Sequence, residues 1–401
     1  MAQVQQLTPA QQVAMQAQKA VAQNMANRNA VLQQAYPMLQ GINAQTVQPA
    51  NQTQINIAPQ NVGLIKGFLV RMTATITNPA AGSSVLTRTP QGPANLLQSV
   101  VFTDLQNYQR INTSGWHLSM IDSAKQGRPF LSSTPSDSPM GYGSNWNVIS
   151  APQTIATNSS ANISMYYWVP LAYSETDLTG AIYANVVNAT MNLQLNLSTA
   201  AQAVVANTAD PTLAMYQGAG AVAGVTLTNV AITVYQSYLD QLPTVNGAPI
   251  LPTMDLNTIY EFKNTSLTGM NVGQDFYIGY SNFRHFLSTT AMFDNQNAGV
   301  YPAAGSDVNY WSFRTANYTD TRKADPYTWA ALARRKLLTD PPVPVYYFDH
   351  RDKPIFTTQT GNTNLVLNPA TVNANAQVLV GWEALANVSQ LVNAGTLAAS
   401  T

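Results

Sequence analysis

The sequence predicts an all-β chain: two tandem antiparallel sandwiches of about eight strands each, with a helical arm in front and short inserted helices. Three observations carry this. Runs such as Met191-Asn192-Leu193-Gln194-Leu195-Asn196-Leu197 alternate strictly between apolar and polar, the period of a strand with one buried face. Clusters of Gly, Pro, Asn and Ser separate such runs, as in sandwiches and jelly rolls. The order of landmarks also repeats between the two halves of the chain.

The arm comes first. Thr8-Pro9-Ala10-Gln11 reads as a helix start, with Thr8 as N-cap, Pro9 at the first helical position and Gln11 completing a capping box. The helical run is expected to continue to about Tyr36, where Pro37 stops it. Val13, Ala17, Val21, Met25 and Leu32 form a thin apolar packing stripe on a surface otherwise rich in Gln and Asn. Lys19 and Arg28 are the arm's only charged side chains, and the first acid of the whole chain is Asp104. Such a helix suits either an anionic lipid surface, met through Lys19 and Arg28, or a neighbouring subunit, met through the stripe.

Strands follow. Leu64 to Thr77 and Leu96 to Phe102 are candidates. Val225-Thr226-Leu227 and Val230-Ala231-Ile232-Thr233-Val234 alternate with one slip at Thr228-Asn229, which predicts a bulge. In the first half a helical segment with Trp116 precedes Tyr166-Tyr167-Trp168, then Asn192-Leu193-Gln194-Leu195-Asn196, then a last strand at 230–235. In the second half a helix from Asp325 with Trp329 precedes Tyr346-Tyr347-Phe348, then Asn364-Leu365-Val366-Leu367-Asn368, then a last strand at 376–382. The turn-rich Leu242-Pro243-Thr244-Val245-Asn246-Gly247 marks the joint. The expected division is an arm and linker at 1–49, sandwiches at 50–245 and 246–390, and a tail at 391–401.

Composition points to burial among other chains. Only 9% of the 401 residues are charged, against roughly 25% in an ordinary globular protein. Charges are depleted where surface is buried against a partner, because desolvating an unpaired ion costs several kcal/mol. A net charge of zero permits close packing of copies and argues against a general nucleic-acid binder. Without cysteine there are no disulfides, thiolate nucleophiles or Cys-ligated metals. No secretory signal and no apolar run of about 20 residues is visible, so the chain is expected to stay in the cytosol of the cell that makes it.

No catalytic, cofactor or metal constellation emerges. His117, His285 and His350 lie far apart and read as hydrogen-bonded structural residues. Asp349-His350-Arg351-Asp352 has the letters of a kinase catalytic loop, but Thr357 stands where that loop needs Asn, so it reads as a salt-bridge cluster at a strand end. Gly218-Ala219-Gly220-Ala221-Val222-Ala223 fits a relaxed dinucleotide fingerprint but precedes an alternating strand, so it reads as a loop. Arg334-Arg335-Lys336 complements the dipole at a helix C-terminus. Glu175 and Asp177 sit in a turn without a carboxylate placed opposite, unlike a glycosidase pair.

The run from Met165 to Gly180, which includes Tyr166-Tyr167-Trp168-Val169-Pro170, resembles the major capsid proteins of tectiviruses, tailless icosahedral phages with an internal membrane. The N-terminal Met1 to Pro9, Thr233 to Pro243, Arg351-Asp352-Lys353-Pro354-Ile355 and Val392-Asn393-Ala394-Gly395-Thr396 share the likeness. It departs at 79–93, 198–212 and 295–306. The resemblance implies a double jelly roll that forms tight homotrimers of pseudo-hexagonal outline. These tile an icosahedral shell around a lipid membrane, with double-stranded DNA inside and the N-terminal helix on the inner side. It implies minor capsid and vertex proteins as partners, assembly in the cytoplasm of a bacterial host, and no enzymatic activity, cofactor or sequence-specific nucleic-acid binding. The competing readings are a carbohydrate-binding or glycan-hydrolysing jelly-roll protein and a host-binding spike.

Overall fold

In a computed structural model the chain is described over residues 8–79, 84–89, 92–126, 148–186, 190–219, 222–297, 306–314, 320–337, 345–352, 355–357 and 363–393. Helix α1 spans Pro9–Gln34, and Thr8 and Gln11 close the expected capping box. The helix ends two residues earlier than expected. Ala35 is already extended, and Tyr36–Val47 is a strand, β1, with Pro37 inside it. A proline is tolerated there because β1 lies at a sheet edge, where one row of backbone groups needs no partner strand. The last part of the arm and linker expected at 1–49 is therefore largely a strand of the first sandwich, Tyr36–Val47.

Seven further strands complete the first sandwich: β2 Gln54–Ile57, β3 Leu64–Asn78, β4 Leu97–Thr103, β5 Gln109–Thr113, β6 Ser159–Pro170, β7 Asn192–Leu197 and β8 Thr226–Asp240. One sheet has the order β1-β8-β3-β6 and the other β2-β7-β4-β5, each pair antiparallel. The second set is β9 Thr258–Leu267, β10 Phe276–Gly279, β11 Arg284–Asp294, β12 Val308–Arg314, β13 Asp320–Ala324, β14 Val345–Asp349, β15 Asn364–Pro369 and β16 Gln377–Asn387. Its orders are β9-β16-β11-β14 and β10-β15-β12-β13. Each set is thus a jelly roll: first, eighth, third and sixth strands in one sheet, second, seventh, fourth and fifth in the other.

The two jelly rolls share a sheet. β5 runs parallel to β9, with Ile111 opposite Phe262 and Asn112 opposite Lys263. Alternation sets which side chains enter the cores. Leu193, Leu195 and Leu197 of β7 are buried, and so are Phe68, Val70, Met72 and Ile76 of β3. The slip at Thr228-Asn229 is a register shift, with Asn229 at φ 52°. The second core is aromatic, and Trp329 packs edge-on against Phe313 and Phe348.

Four helices matter besides α1: α2 Gly115–Gln126, the single turn α3 Thr253–Leu256, α4 Pro326–Leu337 and α5 Val388–Asn393. The joint at Leu242 to Gly247 is a short hairpin, Thr244–Val245 against Ala248–Pro249, turning through Asn246 and Gly247, both at positive φ. Two divergent loops meet in one small sheet, where Leu86–Arg88 pairs with Tyr216–Gly218 and that strand with Val204–Ala206. Residues 298–305 of the third loop, Gly220-Ala221 and most of the 391–401 tail lie outside the described residues.

Candidate assembly surfaces

The seam between the jelly rolls is built around two buried carboxylates. Glu383 on β16 is fully buried. It takes Lys125 Nζ from α2 at 3.2 Å and Arg351 Nη2 at 3.0 Å. The Ser288 hydroxyl donates to it at 2.7 Å, and the Tyr260 hydroxyl donates as well. Burial pushes the Glu383 carboxyl up, but Lys125, Arg351 and the two hydroxyls together hold it at about 2. Burial pulls the Lys125 ammonium below its ordinary value, opposed by Glu383. Glu261 on β9 is the second carboxylate. Arg284 reaches it at 3.1 Å, and Tyr108, from the loop before β5, donates its hydroxyl. Both acids of the second jelly roll are thus satisfied partly by side chains of the first, so the seam is a polar lock as well as a shared sheet.

The histidines have structural surroundings. His117 on α2 is fully buried against Thr113, Nδ1 to Oγ1 2.5 Å, and burial lowers its pKa to about 3. His350 is buried 3.4 Å from Thr289 Oγ1, and burial, then Arg322, lowers it to about 3 as well. Both imidazoles are neutral at pH 7. His285 sits on β11 with an exposed side chain. The Asp349 to Asp352 run does form an ion cluster: Arg351 binds Glu383, and Lys336 binds Asp352 and lies 3.9 Å from Asp349. Glu175 pairs with Lys66, and Asp177 accepts from Thr179. Among the described residues there is no group of three His, Asp or Glu side chains placed to hold a metal.

The arm divides in two. From Thr8 to Gln23 every residue is exposed, including Val13, Ala17, Lys19 and Val21. From Asn24 onward α1 docks on the α3 turn that leads into the second jelly roll. Asn24 Nδ2 donates to Asp255 Oδ1 at 2.8 Å, and its Oδ1 accepts from Met254 N at 2.9 Å. Val31 is fully buried among Leu64, Leu178 and Leu239, with Leu32 packed alongside. Arg28, expected to be available to anionic head groups, is engaged instead. Its Nε and Nη2 both lie 2.6 Å from the Asp255 carboxylate, and Nη1 is 3.4 Å from Asp177. The absence of acids within the arm does not leave Arg28 unpaired, because the body supplies them across 227 residues of sequence. Of the stripe, Met25 stays exposed and only Leu32 packs within the chain.

The seam lock was not among the sequence-level candidates. Its signal is Glu383 itself, an acid inside the apolar run Val378-Leu379-Val380-Gly381-Trp382-Glu383-Ala384-Leu385. A carboxylate in such a run is a buried charge that must be paired.

The comparisons agree with this architecture. Family models for the P3 major capsid protein N-terminal and C-terminal domains match residues 2–242 and 257–399. The chain is 52% identical over 397 residues to the major capsid protein P3 of Enterobacteria phage PRD1, covering 99% of both chains. In fold it is similar to the STIV MCP, with a TM-score of 0.62, 13% identity and coverage of 89% of this chain and 99% of that one. It is also similar to a chain of the PBCV-1 virus capsid, with a TM-score of 0.53, 11% identity and coverage of 92% and 98%. Two jelly rolls locked across a shared sheet, matched along both halves, make this chain a member of the P3 major capsid protein family, a family of structural capsid proteins and not of enzymes.

Proposed function

We propose that the chain forms pseudo-hexagonal homotrimers that tile, with neighbouring trimers, an icosahedral virion shell around an internal lipid membrane. The observation that carries this is its 52% identity, over nearly its whole length, with the PRD1 major capsid protein. The tandem fold supports it, since three chains of two similar domains offer six similar edges to a lattice. The 9% charge content fits surface destined for burial between copies. In this reading the protein assembles in the cytoplasm of a bacterial host, and minor capsid and vertex proteins occupy the seams and vertices of the shell.

The exposed half of α1 is the part proposed to meet the membrane. No described helix is long and apolar enough to cross a bilayer, so the arm would lie along the surface. Lys19 is the one cation between Thr8 and Gln23, and Val13, Ala17, Val21 and Met25 form the apolar face beside it. Sedimentation of the purified protein, followed by electron microscopy of its assemblies, tests the subunit reading. Trimers and closed shells are expected; a folded monomer at micromolar concentration contradicts it, because obligate interfaces bury above about 2,000 Å².

A further inference from the structure

Two carboxylates, one from each jelly roll, meet on a single hydroxyl. Asp294 closes β11 and is fully buried. Thr212, also fully buried, lies in the segment 207–213 that leads from Val204–Ala206 toward Tyr216–Gly218. Thr212 Oγ1 is 2.6 Å from Asp210 Oδ1 and 3.2 Å from Asp294 Oδ1, so it ties this segment of the first jelly roll to the second. The segment is otherwise held at its root, where Met215 N donates to Ala203 O at 2.8 Å and Thr89 Oγ1 donates to Ala214 O at 2.6 Å. Thr212 N donates to Asp210 Oδ1 at 3.0 Å within the segment itself, which can therefore lift as a unit.

A hydroxyl has one hydrogen. Shared between two ionised carboxylates it leaves both under-bonded, and it sets like charges within about 6 Å of each other, where each disfavours the other's ionisation. A proton on Asp294 supplies the second hydrogen. The surroundings offer the ionised form no cation. β16 faces Asp294 with Gln377, whose Nε2 donates to Oδ2 at 3.0 Å. The chain after β11 faces it with Gln296, which donates through N at 3.1 Å and through Nε2 at 2.5 Å. Asp210 is the charged group that faces it from the first jelly roll. Asp307, on the neighbouring turn, accepts from Thr371 Oγ1 at 2.8 Å, and Asn295 donates to that same hydroxyl. Among the described residues no Lys, Arg or His forms an ion pair with Asp294.

We infer that Asp210, Thr212 and Asp294 form a proton-operated latch, which holds the 207–213 segment on the second jelly roll in acid and lets it lift toward neutral pH while both jelly rolls stay folded. In the latched state the Asp294 carboxyl donates to Thr212 Oγ1 and the Thr212 hydroxyl donates to Asp210, so every contact has its own hydrogen. Loss of the Asp294 proton sets two negative charges on one hydroxyl, and lifting the segment hydrates both. Burial raises the Asp294 pKa to about 6; Gln377 opposes the rise, and Asp210 adds to it. A raised carboxyl gives its support below its folded value and loses it above, so release falls between about pH 5 and 7. The anchors at Ala214 and Met215 carry no titratable side chain and act as the hinge.

Hydrogen exchange of the purified protein at pH 5 and pH 7.5 tests the latch. The rate over residues 207–214 is divided by the rate over β3, which removes the chemical pH dependence of exchange and any change in global stability. This ratio is expected to rise at least tenfold from pH 5 to pH 7.5 in the parent. In Asp294→Asn the side-chain amide donates to Thr212 as the protonated acid does, so the ratio should stay at the parent's pH 5 value throughout. Thr212→Val keeps the side-chain shape and removes the bridge, so its ratio at pH 5 should already match the parent's at pH 7.5. A parent ratio that does not move with pH overturns the latch, and so does a parent-like pH response in either variant. Should Asp294→Asn fail to fold, the parent and Thr212→Val decide the matter between them.

Discussion

Lys125 and Glu383 meet inside the seam, Nζ to Oε1 3.2 Å, one from each jelly roll and 258 residues apart in sequence. The pair fixes how the two domains sit on one another, because the Lys125 ammonium also donates to the Tyr173 carbonyl at 2.8 Å and lies over the Tyr260 ring. Removing Glu383 leaves two buried cations, Lys125 and Arg351, without the carboxylate they share.

Glu383→Gln should therefore destabilise the protein strongly. It leaves Lys125 and Arg351 without their shared carboxylate, and breaking a buried pair from one side costs about 3–5 kcal/mol. The acid limb should change as well. Glu383 is held at about 2 against an ordinary 4.5, so its contribution is full above pH 4.5 and is lost as the pH falls toward 2. Guanidinium unfolding between pH 2 and 7 checks both points. The variant should unfold at lower denaturant at neutral pH and lose less stability on acidification; matching curves would refute the seam lock.

Gly381→Ala should weaken the same seam by crowding. A Cβ on Gly381 would stand 2.5 Å from His117 Nε2 and 2.6 Å from Cδ2, well inside contact distance. His117 is fully buried and held by Thr113, so it has no free direction to yield. Overpacking of this kind costs about 1–3 kcal/mol. A fall of several degrees in the thermal midpoint is expected, and an unchanged midpoint would show that the seam relaxes.

Local periodicity made much of the fold legible. The alternation of Leu193, Leu195 and Leu197 and the slip at Thr228-Asn229 depend on neighbours in sequence, and both match β7 and β8. The Trp helices and aromatic strands also fall at corresponding places in the two jelly rolls. What escaped depends on distant partners. Arg28 reads as a lone cation because Asp255 lies 227 residues away, and Pro37 reads as a helix stop although the helix has already ended at Ala35. The apolar run at 378–385 says that β16 is buried; it does not say that Lys125 and Arg351 wait there for Glu383.

Asp294 gives an opposite pH dependence. It is fully buried at the end of β11, near Asp210 of the first jelly roll, with Thr212 donating to both. Burial raises its pKa from 3.8 to about 6; Gln377 opposes the rise, and Asp210 adds to it. A raised carboxyl favours folding most below its unfolded value, and that support is lost as the pH climbs through about 6. Asp294→Asn should flatten this loss between pH 4 and 7. Stability curves that stay parallel to the parent over that range would show that the carboxyl is not the source.

The last prediction separates the two cations of the arm. Arg28 is fixed by a two-point, charge-assisted contact to the buried Asp255, with Asp177 behind it, whereas Lys19 stands on the exposed half of α1. Arg28→Gln should loosen residues 24–34 by about 1.5–3 kcal/mol, the range for hydrogen bonds to charged groups. It also leaves Asp255 short of a partner at the entrance to β9. Lys19→Gln should leave that docking untouched and lower the affinity of assembled protein for anionic vesicles by a modest amount that salt removes, since the Debye length is about 8 Å at physiological ionic strength. Hydrogen exchange over α1 and vesicle co-sedimentation at low and high salt read the two effects independently. Faster exchange in Arg28→Gln with parent-like exchange and weaker vesicle binding in Lys19→Gln is the expected pattern. If Lys19→Gln binds vesicles as the parent does, the exposed stripe of Val13, Val21 and Met25 is better assigned to a neighbouring subunit. If Arg28→Gln exchanges as slowly as the parent, Val31 and Asn24 hold the arm without it.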